Sequence, residues 1–107
     1  MNVSYQYAVT FVCGEADDAV VAPGEYWTAI NVHNPTDRPV RFEKKVATAL
    51  PHEEPGPVSG FHDAELGPDE ALEIDREDIL EHADAEGEFL KGFVVIESGV
   101  ELDVVAM

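Results

Sequence analysis

Tyr26-Trp27-Thr28-Ala29-Ile30-Asn31-Val32-His33-Asn34-Pro35-Thr36-Asp37-Arg38-Pro39-Val40-Arg41-Phe42-Glu43-Lys44-Lys45-Val46-Ala47-Thr48-Ala49-Leu50 is the stretch on which the reading of this chain turns. Residues 26–34 alternate, with Tyr26, Thr28, Ile30 and Val32 on one parity and Trp27, Ala29, Asn31 and His33 on the other. Period two with β-branched and aromatic residues predicts a strand. Pro35 keeps Asn34 out of helical geometry, and two prolines in five residues cannot continue a hydrogen-bonded ladder. Residues 40–50 then run back as a second strand. Val40, Phe42, Lys44, Val46, Thr48 and Leu50 share one parity, and Arg41, Glu43, Lys45, Ala47 and Ala49 the other. The expectation is a hairpin whose core face is built by Ile30, Val32, Val40 and Phe42. Lys44 breaks that apolar face, which implies either a bulge at 43–45 or a rim position from which the ammonium reaches water.

Working outward, residues 5–13 alternate as Tyr5, Tyr7, Val9, Phe11 and Cys13 against Gln6, Ala8, Thr10 and Val12, a strand that residues 14–18 end. Residues 19–22 read as a short extended piece and Pro23-Gly24 as a turn. Residues 51–67 carry three prolines, three glycines and two histidines, which predicts a long irregular loop. Residues 70–74 form a short strand with Leu72 and Ile74 inward. Asp75 is a helix N-cap, and residues 76–83 form a helix with acids in its first turn and His82 in its last, as the helix dipole favours. Residues 84–87 stop it. Residues 88–98 are apolar on both parities, the mark of a central strand, and Gly92 within it signals a bulge or a close approach. Ser98-Gly99 turns the chain into a last strand at 100–106, with Val100, Leu102, Val104 and Ala106 inward. Apart from this one short helix no helical crossovers separate the strands, so parallel βαβ topology is excluded. The prediction is one all-β domain over residues 1–107, an antiparallel β-sandwich of six to seven strands with one short helix. A jelly roll or partly closed barrel is the second choice.

Bulk properties set the class. Apolar residues make up 45% of the 107, enough for a globular core. One cysteine, Cys13, excludes an intrachain disulfide and suggests a reducing compartment. The first residues lack a basic segment followed by a long apolar run, so no signal peptide is expected. The longest apolar run, residues 93–96, is far too short to span a bilayer. A cytoplasmic protein without membrane insertion is the expectation. Twenty-three acids face six bases, for a formal net charge of −17. Such a chain repels nucleic acid and anionic membranes, so neither is an expected partner. Self-repulsion at this density weakens the fold at low ionic strength, whereas in molar salt the screening length shrinks to roughly 3 Å. The balance therefore points to a halophilic cytoplasm; an acidic protein of an ordinary cell is the alternative.

Three segments carry a resemblance. Ile30-Asn31-Val32-His33-Asn34-Pro35-Thr36-Asp37-Arg38-Pro39-Val40 resembles the strand, Asn-Pro, polar turn and strand of immunoglobulin-like bacterial sandwich domains. Leu66-Gly67-Pro68-Asp69-Glu70-Ala71-Leu72-Glu73-Ile74 is similar to the segment that follows in them, and Phe93-Val94-Val95-Ile96-Glu97-Ser98-Gly99-Val100-Glu101-Leu102 to their ending. The order resembles small sandwiches of the sensory rhodopsin transducer type, and also a family of small uncharacterised prokaryotic proteins. The likeness covers about half the chain. It implies the sandwich fold and a homo-oligomer, and it carries over no catalytic residue.

Candidate sites follow from residue types. Cys13, His33, His52 and His62 are the soft S and imidazole N donors that zinc prefers, and would form a metal site if strand ends and loop converge. Against this, their spacing matches no ligand pattern, and a lone cysteine is usually a buried small hydrophobe. Arg38, Arg41, Lys44 and Lys45 gather positive charge in an acidic chain. Local pairing with Asp37, Glu43 and cross-strand acids is the plain reading; a subunit contact or a carboxylate site are the functional ones. Trp27 lies on the parity opposite Ile30, which exposes it and marks a contact surface; the alternative is that Trp27 faces inward and Tyr26 outward. The acids at 70, 73, 75, 77 and 78 read as a solvated face. Ser59-Gly60 beside His62 lacks the strand–turn–helix setting of a nucleophile elbow, and no glycine-rich phosphate loop follows a strand. No catalytic residue and no cofactor is expected. The favoured function is a non-catalytic interaction or adaptor domain acting as a homo-oligomer with a protein partner, its surface formed by Trp27, Arg38, Arg41, Lys44 and Lys45. The alternative is a small ligand- or metal-binding domain using Cys13 and the histidines.

The charge balance makes a direct prediction. The melting temperature should rise steadily between low-salt buffer and multimolar KCl, followed by circular dichroism; a flat series contradicts the halophilic reading.

Overall fold

A computed structural model describes residues 4–16, 24–83 and 89–107. The described residues form β1 (Tyr5–Ala16), β2 (Gly24–Tyr26), β3 (Ile30–His33), β4 (Val40–Ala49), β5 (Pro55–Val58), β6 (His62–Leu66), β7 (Ala71–Ile74), α1 (Arg76–Ala83), β8 (Phe89–Ser98) and β9 (Asp103–Ala106). Six strands make one sheet in the order β2-β1-β8-β4. Beyond β4, its remaining edge is shared: β6 pairs residues 40–44 and β5 pairs residues 47–49. The second sheet is β7-β3-β9. Every pairing is antiparallel. The all-β sandwich expected from the alternation is the architecture found. Among the described residues no helix is long and apolar enough to cross a membrane.

One cluster joins the layers. Phe11, Cys13, Phe42, Val46, Val94 and Ile96 of the large sheet meet Ile30, Val32 and Ile74 of the small one, and Ile79 of α1 seals one end at 0% exposure. β8 lies centrally between β1 and β4, as the apolar run at 88–98 predicted, and its inward parity is Leu90, Gly92, Val94, Ile96 and Ser98. Gly92 is a close approach: a Cβ there would run into the Ala47 carbonyl oxygen and stand 2.9 Å from Thr48 Cα. Asp75 caps α1 as expected. Its Oδ1 accepts from Asp78 N–H at 3.1 Å, and Asp78 Oδ2 accepts from Asp75 N–H at 3.1 Å, a reciprocal box that holds the Asp75 carboxyl below its ordinary range.

Three expectations are corrected. Residues 26–50 are not a hairpin. β3 lies in the small sheet and β4 in the large one, so residues 34–39 are a corner between layers. The apolar parities of the two strands face each other across the core instead of sharing one sheet face, which buries Ile30, Val32, Val40 and Phe42 more completely. Residues 51–67 are not an irregular loop but contain β5 and β6, two short edge pieces. The prolines of β5 are tolerated because an edge strand needs only one set of ladder bonds. The last strand is shorter than expected, with Leu102 buried but Val100 and Ala106 exposed. The extended piece expected at 19–22 and the helix stop at 84–87 lie outside the described residues. Lys44 sits in unbroken register from residue 42 to 48 against β8, so the rim reading holds and the bulge falls elsewhere, between Ala47 and Ala49 opposite β5.

Asn34 builds the corner. It is fully buried, and its Nδ2 donates to Arg38 O at 2.7 Å, Gly67 O at 3.0 Å and Leu66 O at 3.3 Å. Its Oδ1 accepts from Thr36 N–H at 3.0 Å and Thr36 Oγ1 at 2.7 Å. The Asn34 N–H donates to Glu70 O at 2.9 Å. One side chain thereby satisfies backbone groups of the turn and of the β6–β7 connection, which no ladder reaches. Tyr7 adds a second tie between layers, its hydroxyl accepting from Leu102 N–H at 2.8 Å. Asn34→Ala removes all five side-chain contacts at once and leaves the buried Leu66 carbonyl without this donor, and should cost about 2–4 kcal/mol, read as a lower denaturant midpoint; Asn34→Asp should cost as much, because it removes the donors. Neutral behaviour of both variants would contradict this account.

Candidate functional site

Alternation exposes one broad face of the large sheet, and register orders it in rows. The first row is Gln6, Glu97, Glu43 and Asp63. The next is Ala8, Val95 and Lys45. The third is Thr10, Phe93, Ala47 and Val58. Val12 and Lys91 follow. Phe93 is 43% exposed and Val58 61%, and Phe61 joins them at the edge with Lys45 Nζ 4.6 Å from its ring centroid. An apolar band thus crosses the middle of the face, with three carboxylates at one end and the Lys91 ammonium at the other. Like charges side by side weaken pairing. Within this row the Gln6 amide relieves Glu97 by donating to its Oε2 at 3.3 Å.

The four cations of the opening stretch are distributed, not pooled. Arg41 faces cross-strand Glu65, Nη2 to Oε2 3.7 Å, with both side chains largely exposed. Arg38 lies 4.0 Å from Asp37 at the corner. Such exposed pairs contribute about 0–1 kcal/mol. Lys45 points out over Phe61, while Lys44 points in under α1, where burial lowers its pKa and Asp78 and Asp63 partly offset that. Trp27 is exposed, as expected, but not on the face of Arg41 and Lys45. It precedes β3 and walls a groove of about 360 Å³ with Thr28, Ala29, Glu73, Asp75, Arg76 and Glu77. Thr28 anchors that segment, its Oγ1 accepting from Val12 N–H at 2.9 Å.

Cys13, His33, His52 and His62 are not brought together. Cys13 is in the core, 1% exposed, and burial pushes its thiol pKa up, so it is an inert hydrophobe. His52 is exposed in the turn after β4, in left-handed conformation with φ 63°. His62 stacks on His82 of α1 with ring centroids 4.0 Å apart. Among the described residues no group of three or more His, Cys, Asp or Glu is placed to hold a metal.

His33 has a different partnership, with no signal in local sequence. Nδ1 lies 2.8 Å from Asp103 Oδ2, and Nε2 lies 2.8 Å from Asp69 Oδ1. β3–β9 pairing sets Asp103 opposite His33. Asp69 arrives through the Gly67-Pro68-Asp69-Glu70 turn, whose third position requires positive φ; Asp69 adopts 61° there. Two ionised carboxylates only accept hydrogen bonds, so both ring nitrogens must carry protons and the cation is favoured. The hydrogen bond to Asp103, then that to Asp69, raise the His33 pKa above its ordinary 6.5. No protein-family model, no curated protein and no solved structure matches this chain, so function is argued from this geometry alone.

A raised folded pKa means that the clasp supports the small sheet fully below the ordinary histidine value and is lost as pH climbs through the folded one. An NMR titration should place the His33 midpoint above 6.5. Asp69→Asn together with Asp103→Asn should bring it down toward that value. A wild-type midpoint at or below 6.5 would dismiss the clasp.

Proposed function

We propose that this chain is a non-catalytic interaction domain that works as a homo-oligomer in a salt-rich cytoplasm, joining copies through the outer face of its six-stranded sheet. The observation that carries the reading is the apolar band of Phe93, Val95, Ala47 and Val58, held between an acidic row and Lys91 on an otherwise strongly acidic molecule. An apolar band rimmed by charge is the anatomy of a protein contact.

Charge placement favours a second copy as the partner. Consider a two-fold axis lying in the interface and running across the strands, at the level of Val95 and Phe93. It reverses the row order, so Lys91 of each copy meets the Glu43 and Glu97 row of the other. An axis along the strands would instead stack the acidic rows on each other. Complementary ends of this kind select one arrangement and suppress the rest. Molar salt screens the general repulsion between two acidic copies more than it weakens the apolar contact. Arg41 and Lys45 belong to this surface, whereas Trp27, Arg38 and Lys44 fall outside it.

Size-exclusion chromatography with light scattering in multimolar KCl should give twice the chain mass. Phe93→Asp should weaken association by at least about tenfold, roughly 1.4 kcal/mol, without altering the circular dichroism. Lys91→Glu should weaken it too, and adding Glu43→Lys should restore it. A strict monomer at high protein concentration sinks the proposal.

A further inference from the structure

Three basic side chains from three elements meet on the inner side of the large sheet. Lys44 of β4 and His62 of β6 are cross-strand partners. His82 of α1 lays its ring on that of His62, centroids 4.0 Å apart and planes 19° from parallel. His82 Nδ1 is buried and has no hydrogen-bond partner among the described residues. The helix that carries it packs against β4 and buries Ile79 in the core.

We propose that protonation of His82, whose ring stacks on that of His62, releases α1 from the six-stranded sheet, so that docking of this helix is acid-sensitive. A proton on His82 places a positive charge in a part-buried stack, with the Lys44 ammonium as a second cation beside it. A proton on His82 Nδ1 would be a buried donor without an acceptor. Among the described residues, the acids in reach do not cancel this. Asp78 Oδ2 already accepts from Asp75 N–H in the helix cap, Glu81 is exposed on α1, and Asp63 is exposed on the outward parity of β6. Burial first, then His62 and Lys44, hold His82 below its ordinary value, with Asp78 and Glu81 acting the other way.

A depressed folded pKa gives a contribution present above the unfolded value of 6.5 and lost as pH falls below it. The sign is opposite to that of the His33 clasp. The two windows adjoin at the ordinary histidine value: acid completes the clasp on the three-stranded sheet above it and loosens the helix below it.

Hydrogen exchange read by mass spectrometry, corrected for intrinsic exchange and run at fixed high salt, tests this. Between pH 7.5 and 5.5 protection of the α1 peptide should fall, by up to about tenfold for each unit separating folded and unfolded pKa, while β3 and β9 should not lose protection. His82→Phe keeps a ring on His62 but removes the proton site, and should make α1 protection independent of pH across that window. Should that variant not fold, the wild-type NMR titration decides alone: a His82 midpoint below 6.5 supports the device. An α1 protection factor unchanged between the two pH values, or an equal loss in His82→Phe, overturns it, as does a His82 midpoint at or above 6.5.

Discussion

The corner at Asn34 is the constraint on which the architecture depends. A sandwich needs the chain to leave one sheet and enter the other, and every such crossing takes backbone groups out of a ladder and into a dry interior. Here one amide side chain supplies three donor contacts and two acceptor contacts inside the corner. Because those contacts reach the residues preceding β7 as well as the turn itself, the corner also positions β7 beside β3. From that pairing follow the arrival of Asp69 at His33 and the placement of α1, which begins directly after β7.

The large sheet uses its two faces differently, and β4 shows how. Along one strand, Phe42 and Val46 are core, Lys44 and its partner His62 sit under the helix, and Glu43, Lys45 and Ala47 look outward. Adjacent residues therefore face different surroundings: Lys44 and His62 lie under α1, Lys45 and Phe61 on the outer face. The cost is a partly desolvated ammonium and an imidazole nitrogen without a hydrogen-bond partner among the described residues. Such groups are tolerated where the interior meets solvent, because the flexible stem of Lys44 can carry its charge toward the edge.

Net charge and local charge play separate parts. A surplus of seventeen negative charges governs solubility and salt response, and does not choose a fold. The six cations act locally instead: Lys91 gives the outer face its polarity, Arg41 faces Glu65, and Lys45 covers Phe61. His33 joins them conditionally, as a cation held between two carboxylates.

Alternation along 5–13, 26–34 and 40–50, the apolar run at 88–98, the Asp75 cap and the helix after it were legible because each is a local pattern with a local cause. So were the fold class, the inward parity of Ile30, Val32, Val40 and Phe42, the exposure of Trp27 and, as one of two readings, the close approach at Gly92. The pairing partners were not. β3 and β4 are neighbours in sequence with a turn between them, and nothing local says whether such strands meet edge to edge or face to face; burial of both apolar parities at once decides that. β5 and β6 escaped notice because His52 and Glu53 make their turn in left-handed conformation without the glycine or asparagine that announces one, and because prolines in β5 are harmless only at an edge. The His33 clasp and the His62–His82 stack join residues dozens of positions apart. Sequence by itself determined that the strands would carry two unlike faces and what kind of layers they would form, since that depends on period two alone. Tertiary structure decided which titratable groups meet, because register and the crossing at Asn34 place them, and proton affinity depends on neighbours in space.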